Sequence, residues 1–174
     1  MSSRFRLSKL ASVTAIAFGV AIASPAFASF LEGFHAFQEG KYCKALEEWR
    51  DDARNGNGSA AFGMAELYSR GLCVKADQRR ASEWYLKSAL GGFARARSEL
   101  GVRYAYGKGV KADVFRSYLW LSAARLTTAN WDVVSRQAID ANLSIITPLV
   151  PPEEKMRADS ILAAFSKEYK MPRE

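Results

Sequence analysis

The sequence predicts an all-α protein built as a stack of antiparallel helix hairpins. Three observations carry that reading. A ten-residue stretch occurs twice: Tyr68-Ser-Arg-Gly-Leu-Cys-Val-Lys-Ala-Asp77 returns 36 residues later as Tyr104-Ala-Tyr-Gly-Lys-Gly-Val-Lys-Ala-Asp113. The same displacement aligns residues outside it, pairing Ala45 with Ala81 and Ser117, Trp84 with Trp120, Ala60 with Ala96 and Ala53 with Ala89. Within each copy the signals fall in one order: an apolar run ends at a tyrosine, a glycine stops it, and an aspartate begins the next run. A period of this length is that of stacked helical hairpins.

The elements follow in chain order. Arg4, Arg6 and Lys9 precede an apolar run from Leu10 to Ile22, which leads to Ala26-Phe-Ala28. A basic head, a short apolar core and an Ala-x-Ala close mark a secretory signal peptide. Residues 1–28 are read as that segment, cut after Ala28, which sends the mature chain to the periplasm or out of the cell. The run is too short to cross a bilayer comfortably, so no stable membrane insertion is expected once it is removed. Residues 29–40 form an N-terminal cap helix. Phe30, Phe34 and Phe37 lie at helical spacing there, and Gly40 is the stop. His35, the single histidine, lies among these phenylalanines and reads as a surface or capping residue.

The first repeat, 41–76, holds helices at 41–55 and 59–70 joined by Asn55-Gly-Asn-Gly58. The second, 77–112, holds helices at 77–90 and 93–106 around Gly91-Gly92. Gly71 and Gly107 stand where a helix ends in a left-handed residue, and Asp77 and Asp113 stand where the next helix needs an N-cap. Val74 and Val110 would plug the seam between hairpins. A small residue followed three positions on by an aromatic (Ala81 with Trp84, Ser117 with Trp120) marks one helix face, with the tryptophans wedged into the joints. A degenerate third repeat, 113–146, begins with a helix at 113–126 and continues at 131–145. The remainder, 147–174, opens on Pro148, Pro151 and Pro152 and carries a C-terminal cap helix at 153–167 that lies on the final hairpin and closes the solenoid.

The frame Ala81-x-x-Trp84-Tyr85-x-x-x-Ala89-x-x-Gly92-x-x-x-Ala96-x-x-x-Leu100-Gly101-x-x-Tyr104-x-x-Gly107-x-Gly109-Val110-x-x-Asp113 resembles the Sel-1-like repeat (SLR), a branch of the tetratricopeptide superfamily. The resemblance covers about residues 41–127. It implies a right-handed α-solenoid that scaffolds protein–protein contacts and has no catalytic centre, serving envelope regulation, polysaccharide assembly or host contact. A second implication is an enzyme of the penicillin-interacting kind found among cysteine-rich members. That subgroup carries a cysteine pair in each repeat, and the serine β-lactamase route needs Ser-x-x-Lys. Both are missing from this sequence. A purely structural subunit of an envelope complex is the third reading.

The full sequence has 25 basic and 18 acidic side chains, a net charge of +7; without Arg4, Arg6 and Lys9 it stands at 22 against 18, or +4. No basic run exceeds two residues, which is not a nucleic-acid profile. Metal and cofactor sites are not expected: one histidine is too few for a His-Glu-x-x-His site or a Ser-His-Asp triad. The run 101–108 resembles a phosphate loop but is one residue too long between glycines, and Gly109 stands where Ser or Thr would hold magnesium.

Cys43 and Cys73 both depart from the repeat, occupying the positions of Arg79 and Gly109. The start of a hairpin's first helix lies beside the exit of its second, so the two are read as a disulfide in an oxidising compartment. The alternative, a redox-active or metal-binding pair, lacks Cys-x-x-Cys spacing. For the partner, Lys44, Arg80 and Arg116 share one column at intervals of 36 residues, with Glu47 and Glu83 one turn on. On a concave face lined by first helices this column would clamp an acidic peptide or an anionic polysaccharide. The competing reading is pairing within each helix, Lys44 with Glu47 and Arg80 with Glu83, which leaves Arg116 over.

Overall fold

A computed structural model describes residues 25–168. Up to residue 24, the expected signal segment lies outside them. The described chain runs as α1 (Pro25–Gln38), α2 (Tyr42–Arg54), α3 (Gly58–Arg70), α4 (Gln78–Leu90), α5 (Ala94–Tyr106), α6 (Val114–Thr127), α7 (Val133–Ile146), a 3-10 turn (Thr147–Leu149) and α8 (Pro152–Glu168). Among the described residues there is no strand. The fold is an α-solenoid in which each helix packs on the next along the chain as far as α7, and α1 touches α3 as α5 touches α7.

The repeated stretch does locally what its letters demand. Gly71 and Gly107 end α3 and α5 in the left-handed conformation, at φ 71° and 68°. The Asp77 and Asp113 carboxylates accept from the amides of Arg80 and Arg116 at 3.0 and 2.8 Å. Their own amides donate back to the Tyr68 and Tyr104 carbonyls, both at 2.9 Å. Each connection is thus closed on itself by the same two bonds.

Packing in the joints follows a small row and a large row. Ala45, Ala81 and Ser117 are fully buried, as are the aligned Ala60 and Ala96 and Ala53 and Ala89. The tryptophans do sit in the joints, Trp84 against the clusters on both sides of it and Trp120 against the middle one. Trp84 and Trp120 are half-buried against the core clusters. Complete burial falls one residue later, at Trp49, Tyr85 and Leu121, which share a repeat position at intervals of 36. Each sits against a residue with little or no side chain. A Cβ on Gly33 or Gly63 would overlap the Trp49 ring, and one on Gly101 would lie 2.6 Å from Leu121 Cγ. Tyr85 packs in one cluster with Ala65. Gly101 therefore belongs to a helix interior and a joint, not to a phosphate-binding loop.

The two cysteines are joined, with their Cα atoms 5.0 Å apart. The second copy of the loop shows why this position can be cross-linked. There Gly109 lies on the start of α4, so close that a Cβ would overlap the Gln78 carbonyl and stand 2.8 Å from the Arg79 amide. Cys73 and Cys43 are the residues 36 earlier than Gly109 and Arg79, and Cys73 keeps the left-handed φ of 63° beside 74° at Gly109. A contact between backbones in one repeat becomes a covalent bond in the other. Closing this loop stabilises the chain by about 3–4 kcal/mol on the chain-entropy account.

At the C-terminal end α8 lies on the last hairpin, chiefly on α6. Ala158 and Leu162 are buried against it, and the Tyr118 hydroxyl donates to Asp159 at 3.0 Å. The farther part of α8 reaches Phe165, over which Arg97 of α5 stands at 5.0 Å. The prolines after Ile146 turn the chain across α6 and away from the outer side of α7.

Gly109→Ala is expected to cost roughly 2–5 kcal/mol, because overpacking adds to a left-handed backbone. Gly40→Ala, equally left-handed but with open space around it, should cost about 1–2 kcal/mol. Chemical denaturation of the two variants measures the difference.

Candidate partner-binding groove

Of the sites expected on α2, α4 and α6, those on α4 and α6 are already engaged. Arg80 Nε lies 3.5 Å from Asp77 and its guanidinium is 5.8 Å from the centre of the Tyr68 ring. Arg116 repeats this with Asp113 at 3.5 Å and Tyr104 at 5.5 Å, so it is not left over. Glu83 pairs with Arg79 at 2.7 Å and not with Arg80. The reason is the N-cap: its carboxylate is a turn away from each arginine and already fixed by a backbone amide. Lys44 is exposed and enters no ion pair among the described residues.

A better-formed cavity of about 290 Å³ lies on the other row of helices, where α1, α3 and the start of α5 meet over Trp49. The local sequence builds it. Phe30, Phe34 and Phe37 fall on one face of α1, while Phe62, Glu66 and Arg70 fall on one face of α3. Gly33 and Gly63 leave room for the Trp49 ring between the two helices, and its indole N–H donates to the Phe30 carbonyl at 3.2 Å. The walls are continuous rings: Phe37 to Trp49 at 5.7 Å, Phe30 to Trp49 at 6.4 Å, Phe62 to Phe93 at 5.0 Å. Two guanidinium groups stand over them, Arg70 above Phe37 at 6.0 Å and Arg95 above Phe62 at 5.3 Å. Neither enters an ion pair among the described residues, though Arg95 lies within the field of Glu99. Phe34 is exposed at the mouth, and His35 beside it is exposed too.

Under the groove a polar network fixes the α3–α4–α5 joint. Glu66 accepts a short hydrogen bond from the Tyr85 hydroxyl. Burial first, and then this bond, hold the phenol's pKa above its ordinary value, so Tyr85 is a donor and not a base. Arg103, buried, stands 4.5 Å from the centre of the Tyr85 ring. It donates to Ser69 Oγ at 2.9 Å, Ser82 Oγ at 3.1 Å, the Lys108 carbonyl at 3.2 Å and Gln78 Oε1 at 3.3 Å. One side chain thereby ties the end of α3, the start of α4 and the loop after α5. Sequence reasoning missed it. The available signal was its register: Arg103 occupies the place of Leu67, a charge inside an apolar row.

Chemically the groove offers a largely apolar cleft with two guanidinium groups at its edge and the Glu66 carboxylate in its lining. That suits an extended segment carrying a bulky apolar side chain next to acidic ones.

Comparison with known proteins accords with this geometry. The Sel1 repeat family pattern matches residues 58–93 and 94–125, which correspond to α3–α4 and α5–α6. The chain is 29% identical over 118 residues to the alginate biosynthesis protein AlgK of Azotobacter vinelandii, covering 68% of this chain and 24% of that protein. It resembles the structure of c5321, a protective antigen of uropathogenic Escherichia coli displaying an SLR fold. The TM-score is 0.72 and the identity 26%, over 84% of this chain and 31% of the other. It also resembles a Sel1 repeat protein from Oxalobacter formigenes, with a TM-score of 0.53 and 30% identity over 55% of this chain and 40% of the other. The chain thus spans well under half the length of each of these relatives.

Two substitutions test the network. Arg103→Ala should cost roughly 3 kcal/mol or more, by leaving a void and stranded acceptors, whereas Arg103→Leu, which restores the residue of the preceding repeat, should cost less. Thermal melts compare them. Glu99, half-buried, has its pKa raised above the ordinary 4.5, by burial first and by the Glu66 carboxylate second. A folded-state pKa above the unfolded one means that ionised Glu99 opposes folding at neutral pH. That cost is relieved as pH falls through the raised value towards the ordinary one. Glu99→Gln should therefore raise Tm at neutral pH and flatten its rise on mild acidification, read by calorimetry.

Proposed function

We propose, from the premise that this chain is a Sel1-repeat protein, that it is an exported, non-catalytic adaptor of the bacterial envelope. Its groove between α1, α3 and α5 would take an extended, acidic, aromatic- or leucine-bearing segment of a partner protein. The observation that carries the reading is the pairing of Arg70 and Arg95, outside any ion pair among the described residues, with a wall of rings. Aromatic faces give large contact area at little entropic cost, and the arginines select for acid. The similarity to an alginate biosynthesis protein is consistent with an envelope setting. The basic signal-like start of the sequence supports export.

The row Lys44, Arg80 and Arg116 remains a second surface, favoured by its identical spacing on three alternate helices. It is the surface on which an anionic polysaccharide would lie. Its arginines are partly neutralised by Asp77 and Asp113, which is why the groove ranks first.

One experiment separates the two. A photoreactive residue in place of Phe34, and in a second strain in place of Arg116, is crosslinked in intact cells and read by mass spectrometry. The same spectra read the first residue of the mature chain, expected to be Ser29. Capture from Phe34 should fall by roughly tenfold or more in an Arg70→Glu/Arg95→Glu background and be unchanged by Arg80→Glu/Arg116→Glu. The reverse pattern moves the site to the basic row, and indifference to both pairs rules out a charge-selective adaptor.

A further inference from the structure

We infer, resting on the adaptor reading of the groove, that the segment it takes presents a lysine or arginine to Glu66 between two acidic residues. The order along the segment is acid, apolar, cation, apolar, acid. Two charges that avoid each other carry this assignment. Glu66 and Arg70 stand four residues apart on α3 with the glutamate first, the spacing and order at which helices form their most favourable ion pairs. No salt bridge joins them among the described residues. Arg70 stands instead over the Phe37 ring of α1, and Glu66 accepts from the Tyr85 hydroxyl of α4. Both line the cavity all the same.

Opposite charges therefore alternate along the α3 side of the groove. Arg95 stands over Phe62, Glu66 follows Phe62 by one turn, and Arg70 follows Glu66 by one more. At about 1.5 Å per residue, each interval is about 6 Å. An extended chain returns a side chain to the same face every two residues, or about 6.7 Å. Its alternate positions on that face thus meet plus, minus and plus, to which acid, cation and acid are the complement. The positions between them point the other way, towards the phenylalanines of α1, and take the leucine or aromatic side chains.

Glu66 decides what stands at the centre. An apolar residue there would strip water from the carboxylate and return no partner. A lysine lays its stem along the rings and brings its ammonium to the oxygens, and the ring faces favour the cation as well. One phenol hydroxyl uses only part of what a carboxylate accepts. A second carboxylate, Glu99 on α5, lies in the field of Glu66: its pKa is raised by burial first and by Glu66 second. Arg103, Arg95 and Lys108 oppose that rise, yet none of them forms a salt bridge with Glu66 or Glu99 among the described residues. A cation at Glu66 is the charge this floor lacks.

Two synthetic peptides serve as probes, Ser-Glu-Leu-Lys-Leu-Glu-Ser and its twin with norleucine for the lysine, which keeps the stem and lacks the charge. Binding to the purified protein is read by NMR from the shift of the Trp49 indole N–H, at peptide concentrations up to ~1 mM. The lysine peptide should bind roughly fivefold or more tightly than its twin. Glu66→Gln, which keeps an oxygen for the Tyr85 hydroxyl, should remove that preference while the norleucine peptide still binds, which also reports a folded variant. Arg70→Gln/Arg95→Gln should weaken both peptides alike. Equal binding of the two peptides by the parent protein, or tighter binding of the norleucine one, overturns the central cation and leaves the adaptor groove standing. A preference for lysine that survives Glu66→Gln overturns the role of Glu66. If neither peptide moves the Trp49 signal, the groove reading falls and the cation with it.

Discussion

Every joint of this stack depends on one close approach: a large side chain seated where the neighbouring helix has almost none. Trp49 lies against Gly33 and Gly63, Tyr85 beside Ala65, and Leu121 against Gly101. The arrangement brings helix backbones together and excludes water along the whole seam, which is where the apolar stabilisation of so thin a fold must come from. A solenoid has no central core, so each joint must be sufficient for itself. Adding a methyl group on the small side is as harmful as removing a ring on the large side.

The same geometry explains what is irregular in the chain. Where the second loop rests Gly109 directly on α4, the first loop puts a disulfide across the equivalent gap to α2. The bond holds the first hairpin in register on the side where α1, and not another full repeat, is its neighbour. Arg103 is a second irregularity with a similar consequence. It takes an apolar position of the repeat and uses its several donors to join three connections at once, so that the middle joint is held by hydrogen bonds as well as by packing.

The two rows of helices are chemically unequal. On α4 and α6, the arginines near each start are bound to their own N-caps and to tyrosine rings in the preceding helix. On α1, α3 and α5, rings face outward around a cleft and the arginines above them have no carboxylate fixed to them by a salt bridge. The first arrangement serves the fold. The second leaves interaction capacity unused within the chain.

What the sequence by itself determined was the periodic part: helix limits within a residue or two for most elements, the glycine stops, the aspartate caps, the buried alanine rows and the disulfide. These are readable because each depends on residues a few positions apart or on comparing one repeat with the next. Only the tertiary structure decided which large residue is buried completely. Trp84 and Trp120 pack into the joints half-buried, and the position beside them, occupied by three different residues, is the fully buried one, since helix rotation is set by contacts between helices and not by any one residue's size. It also decided that Arg80 and Arg116 bind their caps, that phenylalanines from α1, α3 and the turn before α5 meet around one cleft, and that α8 turns onto α6. Those outcomes join residues tens of positions apart, and their energies arise in packing, where local sequence carries no record of the partner.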